Sequence, residues 1–485
     1  MGFNAIPGPG VGANWQDTPT TGRTVTLGTI IRTDPDGLTR PMKTIRIGNG
    51  CGFWGDNLDA PIRLARDGQL DYLTLEYLAE LTMSILALLR QRDPSAGYAT
   101  DFIDVLARVA PILREQPNLK IVTNAGGMNP VACARAAQDV LGKHGLTDRI
   151  VEAVSGDDLL PRLDELMAGG HEFRHLDTGE SLSTVRDRVV SANAYLGAKP
   201  IAAALGRGAS IVVTGRVADA SLVVGPCMHE FGWGWTDWQK LGVATVAGHL
   251  IECGAQATGG LWTNVPETLD YANIGYPIAE MTADGRMVIT KPTGTSGAVN
   301  IETVSEQLLY EVADPANYFT PDVVGDFTTP QLHQDAPDRV RISHCTGKPA
   351  TDTYKVSIAY RDGFTATGTL VIAGPNAVAK ARRSGAVILD KLKQSGVHFA
   401  QTLVEVLGAG DSLPGVLPTA DPPEVVLRIG VRDASRKNVD RFTKELAPLV
   451  CSGLAGTTGY TTGRASVREV FAYWPSLIKK AAIDT

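Results

Sequence analysis

Residues 43–90 read KTIRIGNGCGFWGDNLDAPIRLARDGQLDYLTLEYLAELTMSILALLR. Lys43 to Ile47 is a short β-like run, Gly48 to Asp56 is rich in glycine, and Leu58 to Ala65 continues at helical spacing to Gly68. Asp71 to Leu75 predicts a second strand. Glu76 to Arg90, with Leu78, Leu81, Met83, Ile85, Leu88 and Leu89, predicts a helix. Strands that alternate with helices of ten or more residues pair in parallel, because a parallel connection needs a long crossover. The alternation continues. Asp101 to Arg114 predicts a helix, Lys120 to Thr123 a buried strand, and Pro130 to Gly142 a helix with proline near its start, where a missing N–H costs nothing. Ile150 to Val154, Leu159 to Met167 and Ala209 to Thr214 extend it. The expected fold is α/β: an open, mostly parallel Rossmann-like sheet with helices on both faces.

The last third has another texture. Arg339 to Ser343, Tyr354 to Arg361 and Phe364 to Ile372 read as strands, the latter two joined by a hairpin at Asp362-Gly363. Asn376 to Gln394 reads as a helix, Val425 to Val431 as a strand and Asn438 to Val450 as a helix, which together predict an α+β unit. The Pro/Asp-rich stretch between Asp314 and Asp338 marks the boundary. Residues 1–40 then form an irregular leader whose one β-like patch is Thr24 to Ile31, residues 41–325 the α/β domain, and residues 326–485 the α+β domain.

A chain of 485 residues, 44% hydrophobic and 20% charged, can build a large packed core. Its formal charge of -7 leaves no basic surplus for a polyanion, so nucleic acid is not an expected partner. The longest apolar runs, such as Leu81 to Leu89, fall short of the roughly 20 residues that span a bilayer, so no membrane partner is expected either. The opening MGFNAIPGPGVGANW lacks the basic and apolar regions of a secretory signal, and the expected location is the cytoplasm. Six cysteines stand singly with no CxxC pair, so neither a zinc site nor a disulfide framework is predicted.

Several turns at strand ends could carry chemistry. Gly50-Cys51-Gly52-Phe53-Trp54-Gly55 is a literal GxGxxG between strand and helix, with Glu76 where a ribose-binding acid would stand. The bulky Phe53-Trp54 pair argues against a dinucleotide and for a Gly-rich turn lining some other site. Thr123 to Pro130 (TNAGGMNP) offers Asn124, Gly126 and Gly127, whose amides could hold a carboxylate or simply form a capped turn. Thr214 to Ser221 (TGRVADAS) puts Arg216, Asp219 and Ser221 within one turn: a cation for a carboxylate, an acid or base, and a hydroxyl, or else an internal ion pair. His249 and Glu252 lie three apart on one face of a helix. The aromatic segment around Trp233, Trp235 and Trp238 could wall an apolar pocket or fill a core. His171 to His175 matches HExxH letter for letter, but its flanking Gly169-Gly170 and Asp177-Thr178-Gly179 are turn context, against a zinc protease. No GxSxG elbow is present.

Taken in order, IRIGNGCGFWGDN (45–57), LDYLTLEYLAELTM (70–83), KIVTNAGGMNP (120–130), HLDTG (175–179), TGRVADAS (214–221), AGHLIECGAQATGG (247–260), YPIAEMTADG (276–285) and KPTGTSGAV (291–299) resemble the acyclic terpene utilisation protein A (AtuA) family. The resemblance implies a catabolic enzyme or enzyme subunit acting on a branched or unsaturated acyl-CoA or related carboxylic acid, by hydration, dehydration or carbon–carbon cleavage. Coenzyme A would then enter as part of the substrate; the residues assign no metal and no definite resident cofactor, with NAD(P) the weaker reading. Longer relatives carry an additional small ferredoxin-like domain that this chain is expected to lack, so a small separate protein of that kind is an expected partner, along with further copies of the chain. In this reading Asp56, Glu76, Asp219 and His249 are the catalytic candidates. Asn49, Gly50, Gly52, Asn124, Gly126, Gly127, Arg216 and Ser221 are the candidates for substrate binding. Two alternatives stand beside it: a non-catalytic large scaffold subunit, and an NAD(P)-binding oxidoreductase.

Overall fold

The computed structural model describes residues 42–483. The expected leader, residues 1–40, lies outside the described residues.

In chain order the first part comprises β1 (Thr44–Asn49), α1 (Ala60–Asp67), β2 (Tyr72–Leu75), α2 (Glu80–Arg92), α3 (Asp101–Glu115), β3 (Lys120–Thr123), α4 (Pro130–Lys143), β4 (Val151–Val154), α5 (Leu163–Ala168), β5 (Val189–Ala194), α6 (Lys199–Gly206), β6 (Ile211–Thr214), α7 (Ser221–Phe231) and α8 (Trp238–Glu252). Then follow β7 (Ile278–Thr282), β8 (Met287–Thr290), α9 (Ile301–Leu309), β9 (Tyr318–Phe319), β10 (Val324–Asp326), β11 (Gln331–Ala336), β12 (Arg339–Ser343) and β13 (Thr346–Lys348). The rest is β14 (Thr353–Ala373), α10 (Ala377–Gln394), β15 (Gln401–Leu407), β16 (Glu424–Asp433), α11 (Arg436–Thr443), α12 (Leu449–Ser452) and β17 (Arg468–Lys479).

The largest sheet has nine strands in the order β11-β12-β8-β7-β1-β2-β3-β6-β4. The run from β1 to β4 is parallel, and the pairs from β1 outward to β11 are antiparallel. The fold is therefore α/β with a mixed sheet, which corrects the expected mostly parallel one. The difference comes from residues 278–290. Two short strands joined at Gly285, whose φ of +83° suits a tight turn, form a hairpin that adds to β1 from the open side.

Side chains alternate across this sheet, as a pleated strand requires. Tyr72, Val122 and Val212 join a core shared with α6, α7 and α8; Leu73, Leu75, Ile121, Ile211 and Val213 join the opposite core under α1, α3 and α4. Helices thus cover both faces. α4 starts where the sequence predicts, with Pro130 in its first turn and the Asn129 side chain accepting from the Ala132 N–H at 3.3 Å.

A second sheet runs β15-β16-β14-β17, antiparallel throughout, with β5 also paired to β14. Here the predicted hairpin is overturned: β14 runs unbroken from Thr353 to Ala373. Asp362-Gly363 forms a bulge against β17, between Arg361 and Phe364. Gly363 at φ +85° absorbs the extra residue, and the Asp362 carboxylate is held by Arg432 and Arg188 across the bend. A small sheet, β13-β10-β9, completes the set. Among the described residues no helix is long and apolar enough to cross a membrane.

Candidate active site

The parallel strands end in turns at one edge of the large sheet, the edge where open α/β sheets bind ligands. A cavity of about 1030 Å³ opens there. Its floor holds Glu76, just past β2, and Arg216 with Asp219, just past β6. One wall is the Gly52–Asp56 loop after β1, another the end of α8 with His249 and Glu252. Tyr318 of β9, Lys355 of β14 and Leu477 of β17 close it from the C-terminal part.

Glu76 is where the sequence expects a helix to begin, and the helix is delayed to Glu80 because residues 76–79 are otherwise engaged. The Glu76 N–H donates to the Cys51 carbonyl at 3.0 Å, and the Trp54 N–H to the Tyr77 carbonyl at 3.2 Å, tying this turn to the neighbouring loop. The Glu76 side chain is 4% exposed. Its Oε1 accepts from the Leu78 N–H at 2.8 Å and from the Asn124 amide; its Oε2 has no partner. Burial, and next the nearby Asp219 charge, push this carboxyl well above the usual carboxylate range, against the pull of Arg216 and Asn124.

Arg216 is equally buried, at 3%. Its Nη1 donates to the Leu78 carbonyl at 2.9 Å and lies 3.0 Å from Asp219 Oδ1 and 3.9 Å from Glu76 Oε1. Its guanidinium stacks 4.1 Å above the Tyr195 ring, and its Nε has no partner. The turn itself is pinned by buried Asp157, which accepts from the Arg216 N–H at 2.9 Å and from Asn193 at 2.8 Å. Burial raises Asp157 to about 6. Asp219 keeps 35% of its side chain exposed toward the cavity. Its carboxyl is raised too, first by desolvation, with Glu252 and Glu80 adding to the shift and Arg216 opposing it.

On the opposite wall, His249 Nε2 lies 2.8 Å from the Gln307 carbonyl, which can only accept, so this nitrogen carries a proton. Its Nδ1 lies 3.1 Å from Glu252 Oε1, so the pair holds one further proton, on the imidazole or on the carboxyl. Burial disfavours the imidazolium, but the Glu252 hydrogen bond and charge outweigh it and raise the histidine. Tyr318 and Phe327 pack edge-on against the ring, with centroids at 5.5 and 5.2 Å.

Of the sequence candidates, the cavity brings together Asp56, Glu76, Asp219, His249, Gly52 and Arg216. Asp56 already accepts from the Gly52 N–H at 2.8 Å and from the Tyr276 hydroxyl at 2.7 Å, so it occupies the nest where a pyrophosphate would sit in a dinucleotide fold. Glu76, buried and bonded, is not free for a ribose. The remaining candidates stand behind the lining. Asn49 donates to the Cys51, Ile251 and Glu252 carbonyls at 2.8 to 3.0 Å, and Asn124 bridges Glu76 and the Tyr77 N–H. Gly50 and Gly126 allow close packing: a Cβ would come within 2.8 Å of Pro61 at the first and 2.5 Å of the Thr214 carbonyl at the second. Gly127 takes φ +48°. Ser221 donates to buried Asp322 at 2.7 Å.

The sequence reading does not single out Glu80, Tyr195 and Lys355. The Tyr195 hydroxyl donates to Glu80 at 2.6 Å, and Lys355 reaches the same oxygen at 3.2 Å. Burial opposes ionisation of Glu80, yet the Tyr195 bond and the charges of Lys355 and Arg216 hold it at about 2. Among the described residues no group of His, Cys, Asp and Glu could hold a metal ion. The HExxH stretch is not helical: Phe173 is buried at φ +47°, and His175 packs edge-on against Trp474 at 4.9 Å.

A family model described as acyclic terpene utilisation family protein AtuA matches residues 45–485. No curated protein matches the chain. Among solved structures, the crystal structure of an amidase of the hydantoinase/carbamoylase family from Burkholderia phymatum is 18% identical, over 25% of this chain and 30% of that one, with a TM-score of 0.15. A likeness that low carries no argument about fold or activity.

Proposed function

The chain belongs to the acyclic terpene utilisation family AtuA, and on that footing we propose that it is a catabolic enzyme whose cavity performs proton transfer on a branched or unsaturated acyl thioester, such as an acyl-CoA. One observation carries the reading: two carboxyl groups of unequal exposure, Glu76 and Asp219, share one buried guanidinium on the floor of an apolar-rimmed cavity. Acid–base catalysis needs a carboxylate and a carboxylic acid at the same pH, which neighbours of unlike environment supply. Asp219, the more accessible, takes the proton beside the thioester carbonyl. Glu76, the more buried, keeps a proton that can go to a departing hydroxyl, which leaves as water as its C–O bond breaks. Run backward, the same exchange hydrates a double bond.

The rim supports an apolar substrate. Phe53, Leu176, Leu261, Phe319 and Leu477, among the large exposed apolar side chains of the molecule, all line this cavity. Clustered exposed apolar surface marks a binding site, and the volume matches the upper end of ligand pockets, roughly 300–1,000 Å³.

The test is wash-in of solvent deuterium at the α-carbon of a branched C10 acyl thioester, followed by mass spectrometry. The wild-type chain is expected to incorporate label, and Asp219→Asn to slow it by about a hundredfold or more. No incorporation by the wild type, or an unchanged rate in the variant, overturns the proposal.

A further inference from the structure

At the rim of the cavity the main chain holds a strained conformation that no packing offsets. Leu261 has φ +60°, in the left-handed region that crowds any side chain larger than that of glycine. Among the described residues one other large apolar side chain, Phe173, stands at a positive φ. There burial to 2% exposure and a 2.9 Å hydrogen bond from Trp474 Nε1 to the Phe173 carbonyl offset the strain. Leu261, by contrast, is 77% exposed.

Its neighbours enforce the conformation. The Gly260 N–H donates to the Ala255 carbonyl at 2.8 Å and the Trp262 N–H to the Gly259 carbonyl at 3.4 Å. The second bond closes a turn in which Leu261 takes the third place, the one that glycine usually fills when φ is positive. Beyond it, Trp262 Nε1 donates to Glu302 at 3.0 Å and the Thr263 N–H to Glu306 at 3.2 Å, both acceptors on α9. Leu261 is thus pinned from both sides. Strain that the surrounding structure over-determines clusters at ligand clamps and active sites, and Leu261 lines this cavity together with the exposed Tyr310 and Phe319. The floor, with Glu76, Arg216 and Asp219, is polar, so the apolar part of a ligand that reacts there extends toward the rim.

We propose that Leu261 sets the chain-length preference of the cavity: it covers the apolar chain of a branched ligand whose reacting end lies on the carboxyl floor, and that contact offsets the strain of its backbone. The inference rests on the reading of the cavity as a site for branched acyl thioesters and names the side chain that separates long chains from short ones. A two-carbon acyl group leaves Leu261 in water; a branched C10 chain removes it from water.

Calorimetric titration of the full chain with two unreactive thioethers of coenzyme A, one carrying a branched C10 chain and one an ethyl group, tests this in wild type, Leu261→Gly and Leu261→Met. Leu261→Gly is expected to bind the C10 thioether about tenfold more weakly than wild type, the effect of losing part of one leucine's apolar contact, and the ethyl thioether equally well. Leu261→Met, apolar and of similar volume, is expected to keep the C10 affinity within about threefold. Because glycine relieves left-handed strain and Leu261 has no packing to lose, Leu261→Gly should also melt about 1–3 °C above wild type. A gain in stability joined to a loss of binding is what a merely structural loop residue does not show. An unchanged C10 affinity in Leu261→Gly, an equal loss for both thioethers, an equal loss in Leu261→Met, or a melting temperature at or below that of wild type overturns the inference. So does a change of oligomeric mass in Leu261→Gly, which assigns the leucine to an interface between copies. If the wild type binds neither thioether while thioester deuteration proceeds, the inference fails and the proposed reaction survives; if neither occurs, both fail.

Discussion

Replacing Glu76 by Gln should make the protein more stable as the pH rises, relative to wild type, and the slope of that gain is fixed by physics. Glu76 is buried with its pKa raised well above the 4.5 of a free glutamate. In the unfolded chain it loses its proton near 4.5; in the folded chain it holds that proton to higher pH. Between those limits the folded state binds one proton more than the unfolded state, so stability falls by about 1.4 kcal/mol per pH unit on account of this residue. Gln keeps the Oε1 that accepts from Leu78 and Asn124, and it removes the titration. The difference in unfolding free energy, Gln minus Glu, should be flat below pH 4.5 and climb at that slope above it. It levels off where the folded-state carboxyl ionises. Urea denaturation of both proteins at half-unit steps from pH 4.5 to 8 measures it directly. Parallel stability curves would refute the argument, since they would mean that Glu76 titrates alike folded and unfolded.

Three further outcomes follow from particular positions. Gly126→Ala should destabilise by roughly 1–3 kcal/mol, because its Cβ would stand 2.5 Å from the Thr214 carbonyl and 2.7 Å from Pro130. Gly142→Ala, inside α4 with nothing within 4 Å of the new methyl group, should stabilise by about 0.5–1 kcal/mol, and paired melting curves decide both. Glu252→Gln should shift the His249 imidazole titration to lower pH in nitrogen-15 NMR, because the bond and charge that raise it are lost. The stability that His249 contributes is present at low pH and lost as pH rises through its raised titration, so this contribution should fade earlier in the variant. An unmoved titration would mean that Glu252 is not the partner that holds the proton.

The strands and helices from β1 to β4, and β6, were legible because local periodicity and buried alternation coincide there; β5 and α6 between them were not. The convergence of Glu76, Arg216 and Asp219 was legible too, since residues just past parallel strands share an edge by topology alone. The hairpin of β7 and β8 escaped although its strands, IAEMT and MVIT, are as apolar and as long as β2 or β3: no helix separates them, so the strand–helix alternation that marks the others is missing there, and with it went the antiparallel half of the sheet. Asp362-Gly363 misled because a tight turn and a bulge both demand a glycine at positive φ. Tyr195 and Lys355 were invisible as site residues. They follow or lie within strands of a different sheet, and only tertiary packing brings them to Glu80. Asn49 and Asn124 give the same signal as a ligand-binding amide, yet their groups are spent on backbone carbonyls and on Glu76.

The pairing of β5 with β14 has a consequence for how the protein is made. Val189–Ala194 emerges from the ribosome long before Thr353–Ala373, the strand it pairs with. Until then only its edge toward residues 157–159 has partners, and the turn that follows it, with Tyr195 beneath Arg216, has no Lys355 to meet. Non-local pairing of this kind makes folding slow and leaves edges open to the wrong partner. The cavity can thus take its final form only after nearly the whole chain has been synthesised, and a nascent chain stalled earlier should depend on chaperones and show no ligand binding.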